Sequence, residues 1–384
     1  MLVLSQPKLP LSSSKASWFV DRCQKDDFEQ IAKLALGVYG EDSALSNDAY
    51  LAWKYRSNPL GTIGAVCKDK DKIVGFTGLV PVLMKFEDTA CSCAIWGDSM
   101  VDSNYRRQGI AMALHAYLIK EAVSNISMTF ATNALKSPSA VGAMKHLEHI
   151  HAGDMIVLKR YISRFSALRN LWSHRTRTPR GMIVCLAYVA ELLWISLTAP
   201  YHKAKNLFGF SYPESDKIQV SEIPRLSFGD EYTKLWDRAK SLLPVAVIKS
   251  PEYLNWRYAN PKAAYVGFRA DDAEGVLRGY CIIAYVESIF KLKAAYLADL
   301  IAEGPEVGCL LVREALKRAN HDGQQLMIMW ETDQSWKLAM RLAFGRSFWK
   351  HPFIARTYGQ QIPERVFARF PIWSLNAADT EDWL

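Results

Sequence analysis

The chain has 384 residues, half of them apolar, which is enough for two domains that each bury a core. Twelve Trp, sixteen Phe and seventeen Tyr exclude a disordered chain, and a net charge of +8 suits an anionic ligand, a nucleic acid or an anionic bilayer without choosing among them. The seven cysteines form no CxxC pair and show no metal-type spacing, and residues 1–16 do not read as a secretory leader, so a reducing, cytoplasmic location is expected.

Taken in order, Trp18-Phe19-Val20 reads as a short first strand. Asp26-Asp27 opens a helix with Phe28, Ile31, Leu34, Ala35 and Val38 on one face and Gly40 just past its end. Tyr50 to Arg56 is a short amphipathic helix stopped by Asn58-Pro59. Strands at Gly64 to Lys68 and Ile73 to Phe86 flank a charged turn. Cys91 and Cys93 share a strand face as small buried hydrophobes, and Ala94 to Val101 reads as a buried strand. A basic loop follows, and Gly109 opens a helix with Ile110, Leu114, Tyr117 and Leu118 at helical spacing. Met128 to Thr132 is a strand, Ser137-Pro138 starts a helix carrying Val141, Met144 and Leu147, and Met155 to Leu158 closes as a strand.

Strand, tight basic loop and helix start together make an anion site. The first N–H groups of a helix have no partner inside it, and the helix dipole adds partial positive charge. Gly109 admits a ligand close to the backbone, while Arg106 and Arg107 add full charges, so phosphate or pyrophosphate is the natural guest. The chain has neither a Gly-x-Gly-x-x-Gly dinucleotide fingerprint nor a Gly-Lys-Ser/Thr loop here.

Arg106-x-x-Gly109-x-Ala111, led in by Val101-x-x-x-Tyr105-Arg106-Arg107, resembles the pyrophosphate loop of GNAT-type N-acyltransferases. The resemblance implies acetyl-CoA or another acyl-CoA as co-substrate and no metal. It implies a pyrophosphate on Arg106, Arg107, Gln108, Gly109, Ile110 and Ala111, and a pantetheine arm along Met100 and Val101 where two strands splay. Asn133 is placed to bond that arm, or is an ordinary turn asparagine.

The chain then repeats itself. Tyr253-Leu254-Asn255-Trp256-Arg257-Tyr258-Ala259-Asn260-Pro261 echoes Tyr50 to Pro59, and Leu297-Ala298-Asp299-Leu300-Ile301 falls where Trp96-Gly97-Asp98-Ser99-Met100 did. The same element order follows both copies. The expected fold is therefore α/β (α+β), with tandem GNAT-like domains, each a mixed and mostly antiparallel sheet flanked by helices. Residues 1–161 form the acyl-CoA-binding domain, 162–217 a basic and apolar helical linker, and 218–384 a degenerate second copy. That copy has Glu303 and Glu306 in place of arginines, and Pro305 removes an N–H donor.

Residues 159–180 carry seven basic side chains and no acid, and Met182 to Ala199 is almost wholly apolar around one charge, Glu191. Glu191 argues against a membrane span. A helix buried between domains and a peripheral contact of 159–199 with an anionic bilayer, at the inner face of the membrane, both remain open.

For chemistry, the acceptor amine must lose a proton, and Asp98 is the first candidate for the base; its counterpart Asp299 in the copy without the loop favours a structural role instead. Relatives place a general-acid tyrosine where this chain has Met144, followed by His146, His149 and His151, which read as a solvated helix end rather than a metal site. The resemblance extends to tandem proteins of bacterial surface-polysaccharide biosynthesis. It implies N-acyl transfer, in the first instance N-acetyl transfer, to a primary amine on a small-molecule or lipid-linked acceptor such as an amino sugar, with no nucleic acid partner. The rival readings are an aminoacyl-tRNA-dependent peptidyltransferase and a non-catalytic acyl-CoA-binding or scaffold protein.

Overall fold

The computed structural model describes residues 17–122, 125–132, 148–163, 186, 189–197, 217–287, 292–331, 342, 344–359, 362, 374 and 375. The helix expected from Ser137 to Leu147 lies outside the described residues, as does Asn133. The chain forms a mixed α/β fold with a mostly antiparallel sheet flanked by helices, in two compact units, and both are discontinuous in sequence. One comprises 1–153, 259–262 and 352–368; the other comprises 154–258, 263–351 and 369–384.

In the first unit β1 (Trp18–Arg22), β2 (Ile63–Asp69), β3 (Lys72–Phe86) and β4 (Thr89–Val101) form an antiparallel ladder. α1 (Phe28–Tyr39) buries Phe28, Ile31, Leu34 and Ala35, and Gly40 ends it at φ +85°, a conformation that favours glycine. The Asn47 side chain caps α2 (Asp48–Leu51), which widens into a π turn over Ala52–Arg56. That wider turn directs the consecutive residues Trp53, Lys54 and Tyr55 inward, and all three are buried. Gly78 on β3 accommodates the Tyr55 ring, since a Cβ there would lie 2.5 Å from it. α3 (Ile110–Ala122) packs Ile110 and Leu114 over Gly75.

Two features of β4 position the site. Thr77 pairs with Ser99 and Leu79 with Trp96, so β4 carries an extra residue in a bulge at Gly97-Asp98. β4 also pairs in parallel with β5 (Met128–Thr132), but only at Cys93, Ala94 and Ile95. Beyond Ile95 the two strands part, and β4 runs on to Val101 with no ladder partner on that side among the described residues. The other edge of β5 pairs with residues 353–357 of β13 (Gly345–Thr357).

The second unit repeats the order: β7 (Gln219–Glu222), α4 (Asp230–Ala239), β8 (Val245–Val247), α5 (Pro251–Arg257), β9 (Ala264–Asp271), β10 (Leu277–Glu287), β11 (Lys293–Ala302), α6 (Pro305–His321) and β12 (Leu326–Trp330). Its bulge falls at the matching place, with Ile282 opposite Asp299 and Ile283 opposite Leu297. β12 pairs antiparallel with β6 (Ile150–Tyr161), the strand read from sequence as closing the first half. Three segments thus cross the limits expected at 161 and 218: 154–161 joins the second unit, and 259–262 and 352–368 join the first; for the strands among them ladder pairing rather than chain order decides.

The apolar stretch is helical over 189–197, with Leu192 and Ile195 buried. Glu191 is fully buried, paired with Lys159 at 2.7 Å and bonded by the Ser347 hydroxyl. Burial holds Lys159 below the usual lysine range while Glu191 opposes that shift. Among the described residues no helix is long and apolar enough to cross a membrane.

Candidate active site

The loop after β4 is braced from below. Asp102 accepts the Asn104 N–H at 3.0 Å and pairs with Lys72 at 2.8 Å, and the Tyr105 hydroxyl donates to Asp69 at 2.8 Å. The chain then turns sharply, with Arg107 at φ +64° and Gly109 at φ +81°. A left-handed arginine stores roughly 1 kcal/mol or more of strain, which marks the loop as shaped for something other than stability. Among the described residues, chain neighbours aside, no atom lies within 4 Å of where a Gly109 Cβ would stand. The first helical bond is Ala113 N–H to Gly109 C=O at 3.0 Å, so the N–H groups of Ile110, Ala111 and Met112 point out of the helix end. Arg106, Arg107 and Gln108 are exposed around them, and the Arg106 Nε reaches the Val101 carbonyl at 3.4 Å. Ile110 and Met100 are buried, so only their backbones are available to a ligand.

The bulge turns Asp98 toward α2. Its carboxylate accepts from Lys54 Nζ at 2.7 Å and from the Tyr55 hydroxyl at 2.8 Å, and its own N–H donates to Tyr55 Oη at 3.1 Å. In the second unit Asp299 accepts from Tyr258 at 2.9 Å and Tyr280 at 3.0 Å and faces Lys249 at 3.2 Å. The motif of aspartate, tyrosine and cation therefore recurs where the basic loop does not. The two sites differ in access: the Asp98 side chain keeps 17% of its surface, the Asp299 side chain none.

The other face of β4 looks onto α3 and the splay. Trp96 Nε1 donates to His149 Nε2 at 2.8 Å; Thr129 on β5 lies 3.2 Å from the same nitrogen and 3.0 Å from the Tyr358 hydroxyl. Ser99 is exposed, and its Oγ lies 3.1 Å from Nε2 of His115, which is buried under it on α3. The Tyr39 hydroxyl donates to the Ser99 carbonyl at 3.1 Å. Cys93, at the root of the splay, is buried, and that burial pushes its thiol well up.

The structure thus gathers Asp98, Met100, Val101 and residues 106–111 along one strand, loop and helix end. Sequence reading missed Lys54, Ser99 and His115. Lys54 sat on what looked like the polar face of a short helix, and only the π turn brings it inward. His149, expected at a solvated helix end, is half-buried and engaged by Trp96 and Thr129; His146 is outside the described residues, among which no cluster of three or more ligating side chains occurs.

Residues 20–135 match the family model described as an acetyltransferase (GNAT) domain. That stretch lies within the first unit and includes the basic loop. No curated protein sequence matches the chain. Among solved structures, the GCN5-related N-acetyltransferase of Anabaena variabilis is 11% identical, with a TM-score of 0.58 over 89% of this chain and 73% of that one. Saccharomyces cerevisiae N-myristoyltransferase with bound myristoyl-CoA is 13% identical, with a TM-score of 0.58 over 92% of this chain and 85% of that one. A probable N-acyltransferase of Enterococcus faecalis is 11% identical, with a TM-score of 0.57 over 89% and 73%. At such identities the shared property is the fold, and the likeness extends well beyond residues 20–135.

Proposed function

We propose that the chain is an acyl-CoA-dependent N-acyltransferase whose coenzyme binds the first unit. The observation that carries this reading is the parting of β4 from β5 after Ile95, directly before a basic loop with two left-handed residues at the start of α3. One edge of β4 is thereby offered to the pantetheine amides, and the helix end and arginines to the pyrophosphate. The amine nitrogen attacks the thioester carbonyl, and the thiolate leaves. Asp98, on this strand, is the candidate base, directly or through water, and its carboxylate accepts from Lys54 and Tyr55. The second unit is a degenerate copy. Its loop runs from Glu303, tied to Arg238 and Arg278 at 2.5 and 3.2 Å, directly into Pro305 at the start of α6.

The acceptor is a primary amine on a small or lipid-linked molecule, an amino sugar of surface polysaccharide being the specific suggestion. The helical stretch 189–197 supports a lipid-linked acceptor. Leu193, Trp194 and Leu197 are 52%, 49% and 75% exposed on the face opposite Leu192 and Ile195, next in sequence to the acid-free basic run 159–180. An apolar face beside that much positive charge fits the surface of an anionic bilayer.

Calorimetry with CoA, desulfo-CoA, acetyl-CoA and myristoyl-CoA tests the reading. Saturable binding at one site per chain is expected, with the acyl chain decided by rank order. A protein that ignores all four ligands is not an acyl-CoA enzyme.

A further inference from the structure

The two units place different side chains at one position behind the bulge. A Cβ on Gly75 would meet Ile110 at 2.9 Å and Leu114 at 3.1 Å; one on Gly279 would meet Val307 at 2.9 Å and Leu311 at 3.1 Å. Ile110 therefore corresponds to Val307, Leu114 to Leu311, and His115 to Val312. The residues after the bulge aspartates, Ser99 and Leu300, correspond likewise. The unit with the anion loop has a serine–histidine pair where the unit without it has leucine and valine. Val312 shows that an apolar side chain fills this helix position in the same fold, so packing does not require the histidine.

The pair also has a defined polarity. His115 Nε2 meets Ser99 Oγ at 3.1 Å, its Nδ1 is buried with no hydrogen-bond partner among the described residues, and the Trp96 ring closes one side edge-on at 5.1 Å. Burial holds the imidazole down at about 4, so it is neutral at ordinary pH. A neutral imidazole has one N–H. On Nδ1 it would be a buried donor without an acceptor, the costlier and rarer outcome. On Nε2 it donates to Ser99 Oγ and leaves only a bare lone pair inside. Ser99 Oγ then accepts from the inside, and its own O–H is free to donate outward. Ser99 is exposed on the stretch of β4 that has left β5, two residues back from Val101, where an arm running down β4 from the loop brings its thioester.

We propose that the Ser99 hydroxyl is the hydrogen-bond donor to the acyl carbonyl of the bound thioester, and that His115 is the positioning residue that fixes its direction. This deepens the acyl-CoA reading and rests on it. In transfer, the amine lone pair forms the new C–N bond and the carbonyl π pair moves onto the oxygen that Ser99 faces. That pair returns as the C–S bond breaks, the thiolate leaves with the bonding electrons, and the amine proton passes to Asp98 or water. Ser99 keeps its proton throughout.

The test needs no acceptor. Acetyl-CoA labelled with carbon-13 at the carbonyl is bound to the full chain and its carbonyl stretch is read by difference infrared spectroscopy, alongside the affinities for acetyl-CoA and CoA. In the parent protein the bound band lies below that of free acetyl-CoA. Ser99→Ala moves it back toward the free value and lowers the preference for acetyl-CoA over CoA about three- to tenfold, with CoA affinity unchanged; Ser99→Thr retains the parent band. His115→Val gives the same loss as Ser99→Ala, and the double variant is no worse than either. A folded Ser99→Ala protein with an unmoved band and an unchanged preference overturns the proposal and leaves the acyl-CoA reading intact. A parent protein that binds neither CoA nor acetyl-CoA overturns that reading and this proposal together.

Discussion

Lys54 keeps 3% of its side-chain surface and has Asp98 at 2.7 Å, so the carboxylate compensates a buried ammonium. Removing one partner of such a pair costs more than replacing both, because the survivor stays buried with that opposite charge gone. Asp98→Asn should therefore destabilise the protein by about 3 kcal/mol. Lys54→Met combined with Asp98→Asn should recover most of that in denaturant unfolding; additive losses would refute the compensation. The pair bears on activity too, since an inactive Asp98→Asn enzyme identifies a base only where the chain is still folded. His115 carries the residue-scale prediction on pH. Its folded pKa is about 4 against an ordinary 6.5, so between those values the unfolded chain binds the extra proton. Its contribution is fully present above about 6.5 and falls by up to about 3 kcal/mol as pH drops to about 4. His115→Val should remove that part of the acid slope in unfolding midpoints taken between pH 7 and 4.5, and an unaltered slope would place the acid sensitivity elsewhere. Arg106 and Gly109 were legible in the sequence because charge and left-handed backbone each demand particular residue types. Ser99 and His115 were not: a lone histidine on an apolar helix face reads as core, and the comparison with Val312 needs a register that only the packed structure supplies.

At the scale of elements, hydrophobic periodicity located nearly every described strand and helix, and it erred at two strand starts and at one three-residue strand. β4 begins at Thr89 rather than Ala94, kept in the ladder by the turn that pairs Thr89 with Phe86. β6 begins at Ile150, five residues ahead of the apolar run that signalled it. Short β8 was not read at all, its three residues lying between the end of α4 and the cap of α5. The stretch 189–197 shows what an apolar run can conceal: the charge that argued against a span, Glu191, is an internal ion-pair partner, and the side turned outward is the oily one. Leu193→Glu with Leu197→Glu should leave the fold intact, since both side chains are exposed, and abolish sedimentation with phosphatidylserine-containing vesicles. Vesicle binding of the parent should also weaken with salt. If parent and variant sediment equally, this face does not dock on lipid.

For the whole molecule, the repeat raises the question of how many coenzymes one chain holds. Both units have the bulge, the tyrosine–aspartate bond and a helix after the bulged strand, so a site defined by fold would occur twice. What differs is local. Ahead of α3 the chain makes a seven-residue basic turn from Ser103 to Gly109, whereas Gly304 leads directly to Pro305 at the start of α6. Pro305 lacks an N–H, and Glu303 and Glu306 place carboxylates where an anion would sit. This difference was legible, because it depends on residue type along a contiguous stretch. The entry of β6 and residues 353–357 into their ladders was not, because several equally apolar strands compete for each edge and only the three-dimensional pairing chooses. One site per chain is thus expected. Arg106→Glu with Gly109→Glu should abolish it entirely, since the substitutions reverse one charge, add another and force a side chain onto a backbone at φ +81°. Glu303→Ala with Glu306→Ala should leave both stoichiometry and affinity unchanged. The readout is calorimetric stoichiometry on variants whose circular dichroism matches the parent. A loop variant that still binds at half the parent's stoichiometry would mean that the second unit holds a coenzyme of its own, and that the bulge rather than the loop defines the site.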